Sequence, residues 1–156
     1  MLLQKIISGG QTGADRAALD FAIRHGIPHG GWCPHGRQAE DGLIDARYQL
    51  VETPSDNPAQ RTEWNVRDSD ATLIVSISQK LAGGSLKTLE FARAQNKPNL
   101  HLCREADGTS APGKLASFLK KHDVKVLNVA GSRAKEEPEV GTVVTQIMQG
   151  LIEIVP

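Results

Sequence analysis

The sequence carries no net charge, since Lys+Arg 18 balance Asp+Glu 18. No long-range field therefore recruits nucleic acid or an anionic membrane surface. Long apolar runs are missing as well. The longest sheet-like stretch, Leu73-Ile74-Val75, falls far below the ~20 residues that span a bilayer. Met1-Leu2-Leu3-Gln4-Lys5 lacks a basic segment followed by an apolar one, so no secretory signal is expected. Cysteine is scarce: Cys33 and Cys103 cannot build a disulfide framework, and a cytoplasmic location with reduced thiols is the expectation. There is no internal repeat and no low-complexity tract. These absences exclude membrane, secreted and general nucleic-acid roles.

What is present suits one domain, 1–156, with 39% hydrophobic residues to supply a core. The one candidate linker, Thr53 to Pro58, is short enough to be an internal loop. Short β-rich runs alternate with helical patterns. Strands are expected at Lys5–Ser8, Trp32–Cys33, Tyr48–Val51, Ala71–Ile77, Leu100–Cys103 and Val124–Val129. Helices are expected at Ala14–His25, stopped by Gly26, at Ala59–Asp68, at Gly83–Asn96 with Ser85 as N-cap, and around Leu115, Phe118 and Leu119. Val140, Val143, Val144, Ile147, Met148 and Leu151 form the apolar stripe of a last helix entered through Pro138, whose Gln146, Gln149 and Gly150 read as a lightly charged solvent face. Pro34 to Gly42 reads as a polar loop. The alternation implies a three-layer, Rossmann-like α/β domain with a mainly parallel twisted sheet.

In such a fold the ligand sits outside the carboxyl ends of the strands. The loops expected there are Gly9–Asp15, Ser76–Thr88 and Ala130–Glu137, all rich in Gly and Ser. Ser8-Gly9-Gly10-Gln11-Thr12-Gly13 joins a strand to a helix. Its glycines let the backbone approach a ligand, and the helix N-terminus adds partial positive charge, so a phosphate or other oxyanion is the natural guest. It is neither a Walker A loop nor a G-x-G-x-x-G turn, and a plain strand-to-helix turn is the alternative. Gly83-Gly84-Ser85, with Thr88 and Glu90, repeats the pattern; a glycine hinge with a Ser cap is its alternative.

Arg16, Arg37, Arg61 and Arg133 lie beside or between these loops, whereas Lys120, Lys121 and Lys125 fall elsewhere. Guanidinium groups there suit forked recognition of a phosphate, although pairing with Asp15, Asp41 or Asp70 is equally open to them. His25, His29, Cys33 and His35 match no common closed zinc spacing, so no metal site is expected. The five histidines have no motif-level Ser or Cys partner.

At these residues the sequence resembles the molybdenum-cofactor carrier family, a Rossmann-like group related to the lysine-decarboxylase-like phosphoribohydrolase superfamily. The resemblance rests on Ser8 to Asp20, Gly36-Arg37 with Glu40-Asp41-Gly42, Arg61-Thr62 with Asn65 to Thr72, Gly83-Gly84-Ser85 with Thr88, and Asn128 to Arg133. It implies reversible binding of molybdenum cofactor (Mo-molybdopterin), a pterin with a terminal phosphate and a dithiolene holding molybdenum, without catalysis. It implies too a homo-oligomer, dimeric or tetrameric, that hands this small anionic ligand to apo-molybdoenzymes. The candidate binding residues are Gly9, Gly10, Gln11, Thr12, Gly13, Asp15, Arg16, Arg37, Arg61, Thr62, Asn65, Ser76, Gly83, Gly84, Ser85, Thr88, Ala130, Gly131, Ser132 and Arg133. The phosphate would take the Gly9–Gly13 amides, and the oxo-anionic end would take Ser, Thr, Asn and Arg donors. In the related phosphoribohydrolases a catalytic Glu follows the Gly-Gly pair. Glu90 stands at that offset from Gly84, but Thr88 is shifted and Lys87 occupies the place of a Gly. The alternatives are therefore a nucleoside monophosphate N-glycosidase using Glu90, or a nucleotide sensor.

Overall fold

The structure is a computed structural model that describes residues 3–155. β1 (Lys5–Ile7) leads into α1 (Ala14–Arg24), and β2 (His29–Gly30) returns the chain to the same sheet. A peripheral stretch follows: β3 (Trp32–Cys33), a 3-10 turn at His35–Arg37, the hairpin of β4 (Gln38–Ala39) and β5 (Gly42–Leu43), and β6 (Val51–Glu52). The remainder runs α2 (Ala59–Arg67), β7 (Ala71–Ser76), α3 (Gly83–Ala94), β8 (Asn99–Cys103), the short α4 (Arg104–Asp107), α5 (Ala111–Lys121), β9 (Val126–Gly131) and α6 (Val140–Ile154).

The central sheet has five strands in the order β2-β1-β9-β7-β8, and every pairing in it is parallel. Alternation along the strands sorts the residues by face. Leu73 and Val75 of β7 and Leu127 and Val129 of β9 join the large core with α1, α5 and α6. Thr72 and Asn128 are also buried but lie outside that cluster. α2 packs beside α3, which completes the three layers. Each fully buried Leu, Ile or Met of the core contributes ~1.5–3 kcal/mol.

Numbered from β7 instead of β1, the strand order becomes 2-1-3-4-5, one of the two common doubly wound orders. The chain is thus a doubly wound domain opened at a different point, with α6 in place of the missing crossover between β9 and β1. Leu3 and Val155, near the two ends, pack into the same core.

Several local expectations are corrected. Tyr48–Val51 is not a strand; the extended pair is β6, which hydrogen-bonds β3. Tyr48 is buried instead, its hydroxyl donating to Asp20 Oδ1 at 2.5 Å and accepting from Arg47 at 2.5 Å. Pro34–Gly42 contains a hairpin. β2 is too short to show a period. β9 begins at Val126 because Val124 is used in ending α5, its amide donating to Leu119 O. Ser85 is not the cap of α3: that position is Ala82, and Ser85 lies buried one turn inside. Gly150 is not on a solvent face, since a Cβ there would sit 2.5 Å from Pro112 Cγ of α5. No helix among the described residues is long and apolar enough to cross a membrane.

Candidate functional site

The loops after β1, β7 and β9 emerge at one end of the sheet. α1 packs with α6, while α3 leaves toward α2 on the other side. The helices part at this switch point, and a narrow cleft of about 40 Å³ opens there. Gly9, Gln11 and Asp15 line it from the first loop, and Arg61, Thr62 and Asn65 from α2. Gly84, Ser85 and Thr88 of α3, Asn128 to Gly131 of β9, and Arg133 and Glu136 of the following loop complete it.

A buried ion pair forms one wall. Asp15 Oδ2 accepts from Arg61 Nη1 at 3.1 Å and from the Gln11 amide at 3.2 Å. The two side chains are only 7% and 12% exposed. Burial pushes the Asp15 carboxyl above its usual range, and the Arg61 charge pulls it part of the way back. Gly9 makes the arrangement possible: a Cβ there would stand 2.0 Å from Arg61 Nη1. The Arg61 Nε is buried with no partner, the only such side-chain nitrogen or oxygen among the described residues. An unpaired buried donor costs ~1–3 kcal/mol, which an incoming acceptor would recover.

Other donors complete the set. α3 starts without a side-chain cap, so its first amides, at Gly84 and Ser85, meet the cleft unpartnered and with the positive end of the helix behind them. Arg133 lines the cleft and makes no ion pair among the described residues. Asn128 is buried, and its Nδ2 donates to Thr72 Oγ1 at 3.2 Å.

The three loops are not equally open. Glu137 accepts the amides of Ile77 and Ser78, both at 2.9 Å, and the Ser132 hydroxyl at 2.5 Å. Burial alone would push Glu137 up, but Ser132, these amides and Arg104 more than offset it and hold the carboxyl below the usual range. Glu136 takes the Arg133 amide at 3.0 Å, Glu40 the Lys135 amide at 3.2 Å, and Thr12 Oγ1 the Ala134 amide at 3.2 Å. In the first loop the Gln11 amide donates to Asp15 and the Ala14 amide to Ser132 O of the loop after β9, whereas those of Gly10, Thr12 and Gly13 have no partner among the described residues.

Several candidates are brought elsewhere. Arg16 donates twice to Gly10 O, at 3.2 and 3.0 Å, and pairs with both oxygens of Asp41. Arg37 spends its guanidinium on the carbonyls of Ile44, Asp45, Tyr48 and Leu50. Both shape loops, and neither lines the cleft. Ser76 also lies outside the lining: its hydroxyl donates to Ser78 O at 2.6 Å and sits 2.6 Å from His101 Nε2. Ser132, held by Glu137, is also outside the lining, as are Gly10, Thr12, Gly13 and Gly83; Thr88 and Asn65 do line the cleft, though Thr88 donates to Gly84 O at 2.9 Å and Asn65 bonds the Trp32 backbone at 2.8 and 2.9 Å. Glu90 is exposed on α3 and outside the cleft lining. Of the expected carboxylate partners, Asp15 and Asp41 take Arg61 and Arg16, whereas Asp70 caps the Lys125 and Val126 amides.

Asn128, Val129 and Glu136 line the cleft in addition to the residues expected from the sequence. A polar residue alternating with Leu127 and Val129 in a buried strand was the available signal for Asn128. The Ser76···His101 contact has no sequence signal, because the two sit 25 residues apart on neighbouring strands. The histidine-rich stretch is dispersed: His25 stacks on Phe21, His29 Nε2 accepts the Gln49 amide, and Cys33 is buried with Leu19, Ile44 and Tyr48.

Fold and cleft together define a Rossmann-type α/β domain with a cleft at its switch point. The chain belongs to the circularly permutated YpsA SLOG family, whose model matches residues 6–152. The chain is also similar to the crystal structure of "Putative molybdenum carrier protein" from Syntrophus aciditrophicus SB, at 47% identity and a TM-score of 0.95, over 97% of this chain and 96% of that one. No curated protein matches it.

Proposed function

We propose that the chain binds a small anionic ligand of the molybdenum-cofactor type in this cleft and carries it without chemical change. One observation carries the reading: the buried, unpartnered Arg61 Nε beside the uncapped N-terminus of α3, in a cleft at the switch point of the sheet. A terminal phosphate suits the α3 amides and Arg61, with Arg133 screening its second charge. The similarity to a protein named as a molybdenum carrier supports the choice of cargo. Assembly into a homo-oligomer and delivery to apo-molybdoenzymes in the cytoplasm belong to the same reading. The position of Glu90, exposed and away from the cleft, weighs against the hydrolase alternative.

The test is anaerobic incubation with purified molybdenum cofactor, gel filtration, and fluorescence of the oxidised pterin in the protein peak. Pterin is expected to co-elute with the wild type and to be lost in Arg61→Met. Absence of pterin at saturating cofactor contradicts the reading. Release of free base from a nucleoside monophosphate, abolished in Glu90→Gln, would replace it with the hydrolase.

A further inference from the structure

The β4–β5 hairpin is held over the first glycine loop by charge. The Glu40 carboxylate accepts from the Thr12 hydroxyl and, on the same oxygen, from the Lys135 amide at 3.2 Å. The Glu40 amide donates to Gln11 Oε1 at 3.2 Å, and the neighbouring Asp41 pairs with Arg16. Each strand of the hairpin has two residues, too few to be stable alone. Leu43 in β5 is 73% exposed, so the hairpin's apolar anchorage is limited to the small Ala39 side chain of β4, which packs against the cluster of Leu19, Cys33, Ile44 and Tyr48.

The surroundings of this carboxylate are those of an anion seat. The Thr12 hydroxyl first, then the Lys135 amide and the charges of Arg133 and Lys135, hold Glu40 below its usual range. A hydroxyl and a backbone amide meeting on one carboxylate oxygen, with Arg133 and Lys135 in the surrounding loop, form the kind of donor set proteins use for phosphates and other oxyanions. Gln11 and Arg133 belong both to this seat's surroundings and to the cleft wall, so the two places adjoin.

We infer that Glu40 is a resident stand-in for a second anionic group of the ligand. A ligand with two anionic groups then spans the Arg61 cleft and the Thr12–Lys135 seat, and displaces the β4–β5 hairpin as it binds. This inference rests on the reading of the cleft as an anion site. A protein that must release its cargo gains from such a stand-in, because the carboxylate re-enters the seat and competes with the bound ligand.

Calorimetric titration with inorganic phosphate and with pyrophosphate tests it, using wild type, Glu40→Ala, Glu40→Gln and Arg61→Met. The wild type is expected to take one phosphate per chain and Glu40→Ala two. Pyrophosphate should bind Glu40→Ala about tenfold more tightly than wild type, since the competing carboxylate no longer reduces the competent fraction. Glu40→Gln keeps the side chain's size while removing its charge and turning one acceptor oxygen into an amide donor. If the Ala variant fails to fold, a gain of about threefold for pyrophosphate in Glu40→Gln is the expected result. Unchanged phosphate stoichiometry and pyrophosphate affinity in the folded Glu40 variants overturn the inference. Arg61→Met separates the two readings: if it loses no phosphate the cleft reading falls, while a second phosphate in Glu40→Ala still supports the seat.

Discussion

Arg61 is fixed at one end only. Its Nη1 is tied to Asp15, and its Nε is buried with nothing to donate to, on a side chain that lines the cleft. Arg61→Met would leave a buried, unpaired carboxylate, at a cost of about 3–5 kcal/mol at neutral pH. The pH dependence has a definite sign. Burial already places the Asp15 pKa above its unfolded value of 3.8, and removing the Arg61 charge raises it further. A protonated Asp15 needs no partner, so the variant's deficit is smallest at acid pH and grows as pH rises through these folded values. Denaturant unfolding across that range checks it; a pH-independent deficit contradicts it. Gly9→Ala acts on the same pair from the other side, pushing Nη1 off its place. It should weaken phosphate binding about tenfold, or ~1.4 kcal/mol, measurable by calorimetry. At this scale the sequence was legible in part. Asp15 and Arg61 each stood out from their surroundings, but 46 residues separate them, and their pairing depends on α2 folding over the first loop. Arg16 and Arg37 looked equivalent to Arg61, and only the structure shows their guanidinium groups already used by Asp41 and by backbone carbonyls.

Among the elements, the loops after β7 and β9 are pinned to each other, while the first glycine loop and the start of α3 keep unpartnered amides. Glu137 ties the loop after β7 to the loop after β9 through three hydrogen bonds. Its carboxyl is held below the unfolded value of 4.5. It therefore contributes stability that is present above that value and lost as pH falls through the folded one. Glu137→Gln should cost about 1.5–3 kcal/mol at pH 7, with the deficit disappearing in acid, again readable by denaturant unfolding. A deficit that persists in acid would show that the charge is not the pin. Long, periodic elements such as α1, α6 and β7 were legible because burial on one face, or on both, writes a period into the sequence. β2, β4, β5 and β6 were not, since two residues carry no period and their positions depend on partners distant in the chain.

For the whole molecule, the alternation of strands and helices announced the fold class but not the order of strands within the sheet. That order depends on which neighbour each strand finds. Read from β7, it is that of an ordinary doubly wound domain, with Leu3 and Val155 packed in one core. A permutant joining residue 155 to residue 3 through a short Gly/Ser linker, and opened at the exposed Asp56-Asn57, should therefore fold. The expected result is a single cooperative thermal transition and retained phosphate binding; a non-cooperative, molten chain contradicts the topological account.

Arg61 Nε is a buried guanidinium nitrogen that waits for an oxyanion. The most direct measurement follows the Arg61 Nε–H resonance in a ¹⁵N-labelled chain during titration with inorganic phosphate. The account predicts a saturable downfield shift at Arg61 Nε–H together with the Gly84 and Ser85 amides. A resonance that stays in place while only exposed lysines and arginines respond would contradict it.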